Sequence, residues 1–363
     1  MSEILPTTPR LIDADVHNAF ADMRAELRPY LARAWQVFGD LHGMGMPPTG
    51  HPSSVGVQRE DARTPSGGIA GSDPDFLISD HLDRYGIDYA ILTGSHILGI
   101  SVHADPDWGN ALATAYNQNL ADRWLSRSPR FRGSIVVNHS DPAAAAREIH
   151  RCAPDKRFVQ VLMASGSSRL FGQRFFHPLY EAAAEHNLPV AIHPGTEGAG
   201  TAGPPTPAGR PTRYFEWHNI IPINFIAHVN SLVCEGVFEK FPGLKFVAIE
   251  GGFAWLPHLM WRMDKNYKAL RAEVPWLKKL PSQYLRDHVF VTTQPIDEPE
   301  QPGQLLQLIE MINAPKNILF SSDYPHWDFD NPLRVFPGLP KPLKAQIFSE
   351  NAAALYGLGT PHA

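Results

Sequence analysis

Short apolar runs typical of buried strands recur along the whole chain and alternate with helical segments, and this alternation restricts the possible folds most. Eight such runs stand at residues 11–16, 88–93, 133–138, 158–163, 190–193, 244–250, 289–293 and 318–322. Predicted helices lie between them at 108–127, 142–152, 178–187, 225–241, 256–273 and 303–313, and another at 342–355 ends the chain. Repeated strand–helix units form parallel sheets covered by helices. The sequence therefore predicts an α/β protein, a (β/α)8 TIM barrel with long insertions in its βα loops.

The length and composition fit a single barrel domain that spans residues 1–363. The chain has 363 residues, of which 43% are hydrophobic, so it can bury a large core. Residues 39–75 follow the first strand, are rich in Gly, Pro, Ser and His, and show no periodicity. An irregular segment of this length is typically a functional loop, and we predict a lid insertion at about 39–82. A second Gly/Pro-rich stretch, 194–213, follows the fifth strand and is expected to shape the same pocket.

Charge and cysteine content exclude several classes of partner. The formal net charge is -5 and no Lys/Arg-rich block occurs, which argues against nucleic acids and anionic membrane surfaces as partners. We therefore expect a small-molecule substrate. The two cysteines, Cys152 and Cys234, cannot form a thiolate metal cluster, and a reducing cytoplasmic location is expected. No run reaches the roughly 18 apolar residues that a membrane span needs.

Side chains that commonly bind metals close three widely separated strands. Asp15 and His17 end the first strand, His193 ends the fifth and Asp323 follows the eighth. In a closed parallel barrel the carboxyl ends of all strands face one pocket, so these residues would converge. Residues i and i+2 of a strand project to the same face, so Asp15 and His17 can reach one ion. The alternative is that Asp15 caps the strand end and His17 is an ordinary core histidine.

Four motifs carry a resemblance to a known family. They are Ile-Asp-Ala-Asp-Val-His at 12–17, Pro-Leu-Tyr-Glu-Ala-Ala-Ala-Glu-His-Asn-Leu-Pro-Val-Ala-Ile-His-Pro-Gly at 178–195, Gly-Val-Phe-Glu-Lys-Phe-Pro-Gly-Leu-Lys-Phe at 236–246, and Ser-Ser-Asp-Tyr-Pro-His at 321–326. In this order they resemble the amidohydrolase superfamily. The resemblance is to the branch with aminocarboxymuconate-semialdehyde decarboxylase, related aromatic-acid decarboxylases and ring-cleavage-product hydrolases. Function varies widely on this scaffold.

The resemblance implies a metal site on the converging residues. The family's first-strand His-x-His pair falls on Asp15 and His17, its fifth-strand histidine on His193 and its eighth-strand aspartate on Asp323. Asp15 departs from the family's histidine, and an oxygen ligand favours Zn, Mn or Fe. The expected cofactor is thus a divalent metal, as one ion or two.

Glu250 is the second departure from the family pattern. Decarboxylases of this branch tend to carry a histidine before glycines after the sixth strand, whereas this chain has Glu250 there. Glu250 is interpreted as a general base, a metal ligand or a bridge between two ions, or as a group that orients a ligand histidine. His326 is expected to act on substrate or to support the ligands. His218 and His228 are further candidate ligands, which together with Glu250 would suffice for a dinuclear site.

Loss of that histidine favours hydrolysis as the predicted reaction. A metal-activated water would attack a C–N, C–O or activated C–C bond of a small aromatic- or carboxylate-derived substrate, with Asp323 or Glu250 accepting the proton. The alternatives are a metal-dependent non-oxidative decarboxylase, a di-iron, dioxygen-dependent hydroxylase on the same fold, and a non-catalytic partner subunit. The resemblance also implies a homodimer, or a hetero-oligomer with a related subunit.

Overall fold

Eight parallel strands, β1 to β8, lie side by side in chain order and curve into a barrel. The structure is a computed structural model and describes residues 10–52, 57–301 and 303–359. The strands are β1 Ile12–Val16, β2 Tyr89–Leu92, β3 Phe131–Val136, β4 Phe158–Ala164, β5 Val190–His193, β6 Phe246–Ala248, β7 Val289–Thr292 and β8 Ile318–Leu319. The predicted (β/α)8 TIM barrel is confirmed. All seven residues of β4 are buried, as expected for a strand covered on both faces.

Each predicted strand corresponds to one observed strand, although two are much shorter than predicted. β6 covers only the centre of the predicted run 244–250, and β8 covers the first two residues of 318–322. The residues that follow these strands leave the sheet because they turn towards the barrel mouth. Those residues include Glu250 and Asp323, which both have backbone φ angles in the left-handed region.

Helices surround the barrel, and several begin at an Asp-Pro pair. They are α1 Met23–Leu27, α2 Arg33–His42, α3 Pro74–Leu77, α4 Pro106–Asn119, α5 Pro142–Cys152, α6 His177–Glu185, α7 Tyr214–His218, α8 Pro222–Cys234, α9 Val237–Lys240, α10 Trp255–Leu270, α11 Pro281–His288, α12 Gly303–Ile312, α13 Lys341–Ala345 and α14 Asn351–Tyr356. Asp73, Asp105 and Asp141 cap α3, α4 and α5 by accepting backbone N–H groups of the first turn. The following proline suits the first helical position because it lacks an N–H that would be unpaired there.

The predicted helices are found, with differences in continuity at 225–241, 108–127, 256–273 and 342–355. The predicted helix 256–273 ends as a 3-10 turn, and 342–355 consists of α13, a π-helical segment and α14. The predicted helix 225–241 is divided into α8 and α9 because Gly236 adopts a φ of 72° between them. The predicted helix 108–127 continues beyond α4 as a π-helical segment, Leu120–Leu125. In the part of the chain that the structure describes, no helix combines the length and apolar character required to cross a bilayer.

The predicted insertion at about 39–82 lies at the barrel mouth. It includes the end of α2, a 3-10 turn at Glu60–Ala62, α3 and the start of a π-helical segment, Ile78–Asp83. Its residues Met46, Val57 and Ile69 line the cavity that opens at the carboxyl ends of the strands. Part of the insertion, 53–56, lies outside the described residues. The role of this segment as a lid stays a prediction.

Backbone and side-chain contacts join the first and last strands. Ala14 N–H donates to Phe320 O at 2.9 Å, and His17 N–H donates to Tyr324 O at 2.8 Å. The fully buried carboxylate of Asp13 accepts from the Ser322 backbone N–H at 2.9 Å and lies 2.8 Å from Nε2 of the buried His81. Asp13 therefore holds the end of β8 against β1, which positions the two strand ends that carry Asp15, His17 and Asp323.

Replacing Asp13 should destabilise the barrel far more than replacing an exposed aspartate. We expect Asp13→Ala to lower the free energy of unfolding by about 3–5 kcal/mol, because it leaves buried polar partners uncompensated. Asp22, exposed at the start of α1, where it accepts from Ala25 N–H, is the matched control. Asp22→Ala should cost about 1 kcal/mol. Urea unfolding followed by tryptophan fluorescence measures both, and equal costs would contradict this role of Asp13.

Candidate metal centre

Six side chains meet at the carboxyl ends of β1, β5, β6 and β8. Asp15, His17, His193 and Glu250 each place one nitrogen or oxygen atom so that all four atoms lie within 4.8 Å of one another. A second group with the same spacing consists of His17, Glu250, Asp323 and His326. The structure thus brings together every candidate ligand except His218 and His228.

The cluster is held in place by contacts with the neighbouring strands. Asp15 is fully buried, and its Oδ1 accepts from the Thr93 hydroxyl at 2.6 Å. His193 Nδ1 lies 2.9 Å from Pro194 O, and His17 Nδ1 makes a short contact with Gly94 O. A carbonyl oxygen only accepts hydrogen bonds, so in both imidazoles Nδ1 carries the proton. The Nε2 atoms of His17 and His193 therefore direct lone pairs into the cluster, as metal-binding imidazoles do.

Unpaired polar atoms at the centre fit a divalent metal ion. Asp15 Oδ2, His17 Nε2, His193 Nε2 and Glu250 Oε2 are buried without a hydrogen-bond partner among the residues that the structure describes. His17 Nε2 lies 2.8 Å from Asp323 Oδ1, and His193 Nε2 lies 2.8 Å from Glu250 Oε2 and 3.6 Å from Asp15 Oδ2. Two atoms each about 2.1 Å from one ion are about 3.0–3.4 Å apart, close to these separations. Buried polar atoms left unpaired are costly, and a shared cation removes that cost.

The electrostatics of the metal-free cluster show how strongly it attracts positive charge. Burial disfavours the charged form of His17, but the carboxylates of Asp15 and Asp323 outweigh it and raise the pKa of His17 to about 9. Burial raises the pKa of Asp323 to about 8 despite the opposing effect of His17. Burial and the neighbouring Asp323 also raise the pKa of Glu250. Without a metal, protons supply the positive charge that the three carboxylates need.

Two of the carboxylates are held in strained backbone conformations. Glu250 has a φ of 60° and Asp323 a φ of 58°. This region disfavours residues other than Gly, and each instance costs of the order of 1–3 kcal/mol. Glu250 is supported by a 3.0 Å hydrogen bond from its N–H to Thr292 Oγ1, and Asp323 by a 3.2 Å bond from its N–H to Asp15 O. The strained turns direct both carboxylates into the pocket.

His326 belongs to the cluster, whereas His218 lies outside it. His326 Nδ1 is 2.7 Å from Asp323 Oδ1, and its ring lies 4.3 Å from the His17 ring. His218 Nε2 is instead 3.1 Å from Asp328 Oδ2, outside both ligand groups. Gln294 Nε2 donates to Asp328 Oδ2 at 2.8 Å and to Asp323 Oδ2 at 3.2 Å, so His218 connects to the cluster through two other side chains.

The structure places His228 away from the cluster. His228 lies on α8, where its Nε2 is 2.8 Å from Ser165 O and its Nδ1 accepts from Phe171 N–H at 3.3 Å. Its ring stacks on Phe171 at 3.8 Å between centroids. Both ring nitrogens are therefore occupied by backbone groups, which leaves neither free for an ion.

A cavity of about 710 Å³ opens directly above the cluster. Its floor is formed by His17, His193, Glu250, Asp323 and His326. Its wall is largely apolar and aromatic, with the following side chains: Met46, Ile69, Leu98, Ala199, Tyr214 and Trp217. A cavity of this size and character fits a small organic molecule. The cavity could accommodate the expected small-molecule substrate, which stays a prediction.

Sequence reasoning missed Asp328. Asp328 lines the cavity two residues after His326, and that proximity to the end of β8 was the available signal. The amide of Gln294 joins Asp323 and Asp328. The alternative of a non-catalytic partner subunit would be favoured if Glu250 and His326 were remote from the cluster, but both lie within it.

Comparison with known proteins agrees with this architecture. The amidohydrolase family model matches residues 12–358. The chain belongs to the amidohydrolase family. The gamma-resorcylate decarboxylase of Polaromonas sp. is 26% identical over 275 residues, 69% of this chain and 76% of that protein. The gamma-resorcylate decarboxylase of Rhodococcus jostii is 25% identical over 301 residues, 76% of this chain and 85% of that protein.

Solved structures show the same fold over almost the whole chain. The 5-carboxyvanillate decarboxylase of Sphingomonas paucimobilis has a TM-score of 0.65 and 25% identity, and the match covers 97% of this chain and 100% of that one. A dihydroxybenzoic acid decarboxylase of Polaromonas sp., solved with bound manganese, has a TM-score of 0.67 and 20% identity over 96% and 97% of the two chains. With the ligand cluster and family membership, this chain is a metal-dependent amidohydrolase-family enzyme whose cofactor is a divalent metal.

Replacing a clustered histidine should remove the metal, whereas replacing His228 should not. We expect His193→Ala to weaken metal binding by more than about 100-fold, because even the loss of a partner behind a ligand costs about 10–100-fold. His228→Asn should retain the wild-type metal content. Elemental analysis by mass spectrometry after gel filtration measures both, with circular dichroism confirming that each variant is folded. Metal loss in folded His228→Asn, or full metal content in His193→Ala, would contradict this ligand assignment.

Proposed function

We propose that the protein is a metal-dependent, non-oxidative decarboxylase of a small hydroxylated aromatic carboxylic acid. The observation that carries this proposal is the similarity to gamma-resorcylate decarboxylases, at 25–26% identity over about 69–76% of this chain. The residues that match the family's metal ligands converge beneath a cavity suited to an aromatic ring. Decarboxylation, an alternative at the sequence level, is therefore favoured over the hydrolysis that the Glu250 departure had suggested.

The cavity wall also favours decarboxylation. Met46, Leu98 and Trp217 present apolar surface to a bound molecule, while Glu60, Arg63 and His96 add polar groups to the lining. An aromatic ring packed against this wall displaces water from the space above the cluster. Hydrolysis requires an ordered water as nucleophile, whereas decarboxylation proceeds better without competing water.

The side chains at the floor supply binding and a proton. When bound by Asp15, His17, His193 and Asp323, a divalent ion supplies positive charge that attracts the carboxylate and phenolate oxygens of the substrate. In the reaction the ring–carboxylate C–C bond breaks, CO2 leaves, and the electron pair on the ring carbon takes up a proton. Glu250 and Asp323 are the buried carboxyl groups at the cavity floor, and we assign that proton to one of them.

One observation favours a second candidate function, a dioxygen-dependent hydroxylase. It is the second ligand group of His17, Glu250, Asp323 and His326, which suits a dinuclear site. Such a reaction consumes dioxygen and electrons, which decarboxylation does not.

Association into a homodimer, or with a related subunit, stays a prediction beside either function.

Deuterium labelling tests the proposed reaction. Metal-loaded protein is incubated in D2O with 2,6-dihydroxybenzoate or 5-carboxyvanillate, and the products are analysed by mass spectrometry with CO2 measured in parallel. We expect one CO2 per product and one deuterium on the ring carbon that lost its carboxylate. Asp323→Asn should lower kcat by about 10²–10⁴-fold, because it removes both a ligand and a proton carrier.

Oxygen isotopes distinguish the other reactions in the same assay. Incorporation of 18O from labelled water without CO2 release would indicate hydrolysis, and incorporation from labelled dioxygen would indicate hydroxylation. His96→Ala is the matched control, because His96 lines the same cavity outside the ligand groups. It should retain decarboxylation within about tenfold of wild type, a change of about 1.4 kcal/mol in activation free energy.

A further inference from the structure

We infer that the substrate is an acid whose apolar part is larger than a single aromatic ring, such as two fused rings, and that Met46, Leu98 and Trp217 select it. This inference deepens the proposed function and rests on it for the acid group that binds beside the metal. The cavity above the ligand cluster determines the size and the character of the other end.

The cavity is much larger than one ring requires. Its volume is about 710 Å³. An apolar cavity of about 150 Å³ is enough to bind a molecule of benzene. A hydroxybenzoate carries only a carboxylate and hydroxyl groups in addition to that ring, so it would leave most of the space unfilled. Cavities of about 300–1,000 Å³ are typical for drug-sized ligands. The volume therefore fits a ligand with a second ring or an apolar group of similar size.

Side chains from three separate segments make the wall beside this space apolar. Met46 belongs to the insertion at about 39–82, Leu98 to the 3-10 turn His96–Val102 and Trp217 to α7. Leu98 and Trp217 are each only 5% exposed, so packing holds them in place. Trp217 also stacks on the imidazole of His51, with 3.7 Å between the ring centroids. An apolar ligand gains free energy by displacing water from such a surface.

Met46 is held in the wall by its close approach to Gly99. A Cβ atom placed on Gly99 would lie 2.8 Å from Cβ of Met46. A larger residue at position 99 would therefore push Met46 away, whereas glycine lets the insertion pack directly on the turn that carries Leu98. The thioether of methionine is flexible and polarisable, which suits contact with rings of different shape.

The described part of the wall offers no free guanidinium or ammonium group for a second acidic group. Among the described residues that line the cavity, Arg63 is the only lysine or arginine, and it pairs with Glu60 at 2.6 Å. A second carboxylate or a phosphate at this end of the substrate would lack a partner of opposite charge. We therefore expect the other end of the substrate to be apolar.

Apolar surface continues from the cavity to its rim. Trp327, in the segment after β8, is 51% exposed, and its indole N–H donates to Tyr214 Oη at 3.4 Å. Tyr214 itself lines the cavity. An exposed tryptophan in contact with a lining residue extends the surface that a large apolar group can cover.

The competing interpretation is that the substrate has one ring and that water fills the remaining space. A comparison of 2-hydroxybenzoate with 1-hydroxy-2-naphthoate distinguishes the two, because these acids share adjacent hydroxyl and carboxylate groups and differ by one fused ring. Calorimetric titration of the full chain loaded with Mn2+ gives the affinity for each acid. We expect the naphthoate to bind at least about tenfold more tightly, because the apolar wall removes its second ring from water.

The possible outcomes separate this inference from the proposed reaction. Equal affinities, tighter binding of 2-hydroxybenzoate, or no measurable binding of either acid would overturn the inference. Release of CO2 is measured separately. Preference for the naphthoate without decarboxylation would contradict the proposed reaction and leave the inference about substrate size standing. Decarboxylation of monocyclic acids without any preference in binding would do the reverse.

A polar replacement in the wall tests whether Met46 contributes to the preference. Met46→Gln keeps a side chain of similar length but places an amide against the second ring. We expect the ratio of the two affinities to fall by about three- to tenfold, because the amide loses hydrogen bonds with water there.

The matched control is Met311→Gln. Met311 lies on α12, is 47% exposed and does not belong to the cavity lining. This variant should keep the wild-type ratio of affinities. An equal fall in both variants, or no fall in Met46→Gln, would contradict the assigned role of Met46.

Discussion

Three buried carboxylates and two imidazole lone pairs are forced together at the barrel mouth, and this concentration of electron-rich atoms governs the rest of the site. Folding alone leaves four of these atoms without hydrogen-bond partners in the part of the chain that the structure describes. Positive charge must therefore be supplied, by protons in the metal-free protein and by metal in the enzyme. The pKa of His17 is raised to about 9 for the same reason, because the neighbouring carboxylates stabilise a positive charge on its ring.

The fold tolerates this unfavourable arrangement because contacts outside the ligand cluster hold the strands in place. Asp13 ties β1 to the end of β8, so the carboxyl ends of both strands remain in register at the mouth. The left-handed turns at Glu250 and Asp323 are supported by bonds from their backbone N–H groups. The favourable packing of the barrel and the surrounding helices thus offsets the local backbone strain at the site. Functional residues are commonly strained in this way while the scaffold supplies the stability.

The charge of Glu250 affects both the binding of metal and the approach of an anionic substrate. A carboxylate at this position adds negative charge, whereas the histidine expected from the family resemblance would be neutral or positive. If the chain decarboxylates an anionic aromatic acid, as its relatives do, that extra charge must be neutralised before the substrate can approach.

The sequence alone was sufficient for the eight strands, the fold class and the convergence of Asp15, His17, His193 and Asp323, because buried parallel strands and their polar ends leave local signatures. It could not separate His326 and Glu250, which join the cluster, from His218 and His228, which do not. That distinction depends on how α8 packs outside the barrel, where backbone groups of Ser165 and Phe171 occupy both nitrogens of His228. It also depends on the turn after β8, which brings His326 back over Asp323 while directing Asp328 to His218. Only the tertiary structure decided these partners, because most of them are far apart in sequence and all are selected by packing rather than by local pattern.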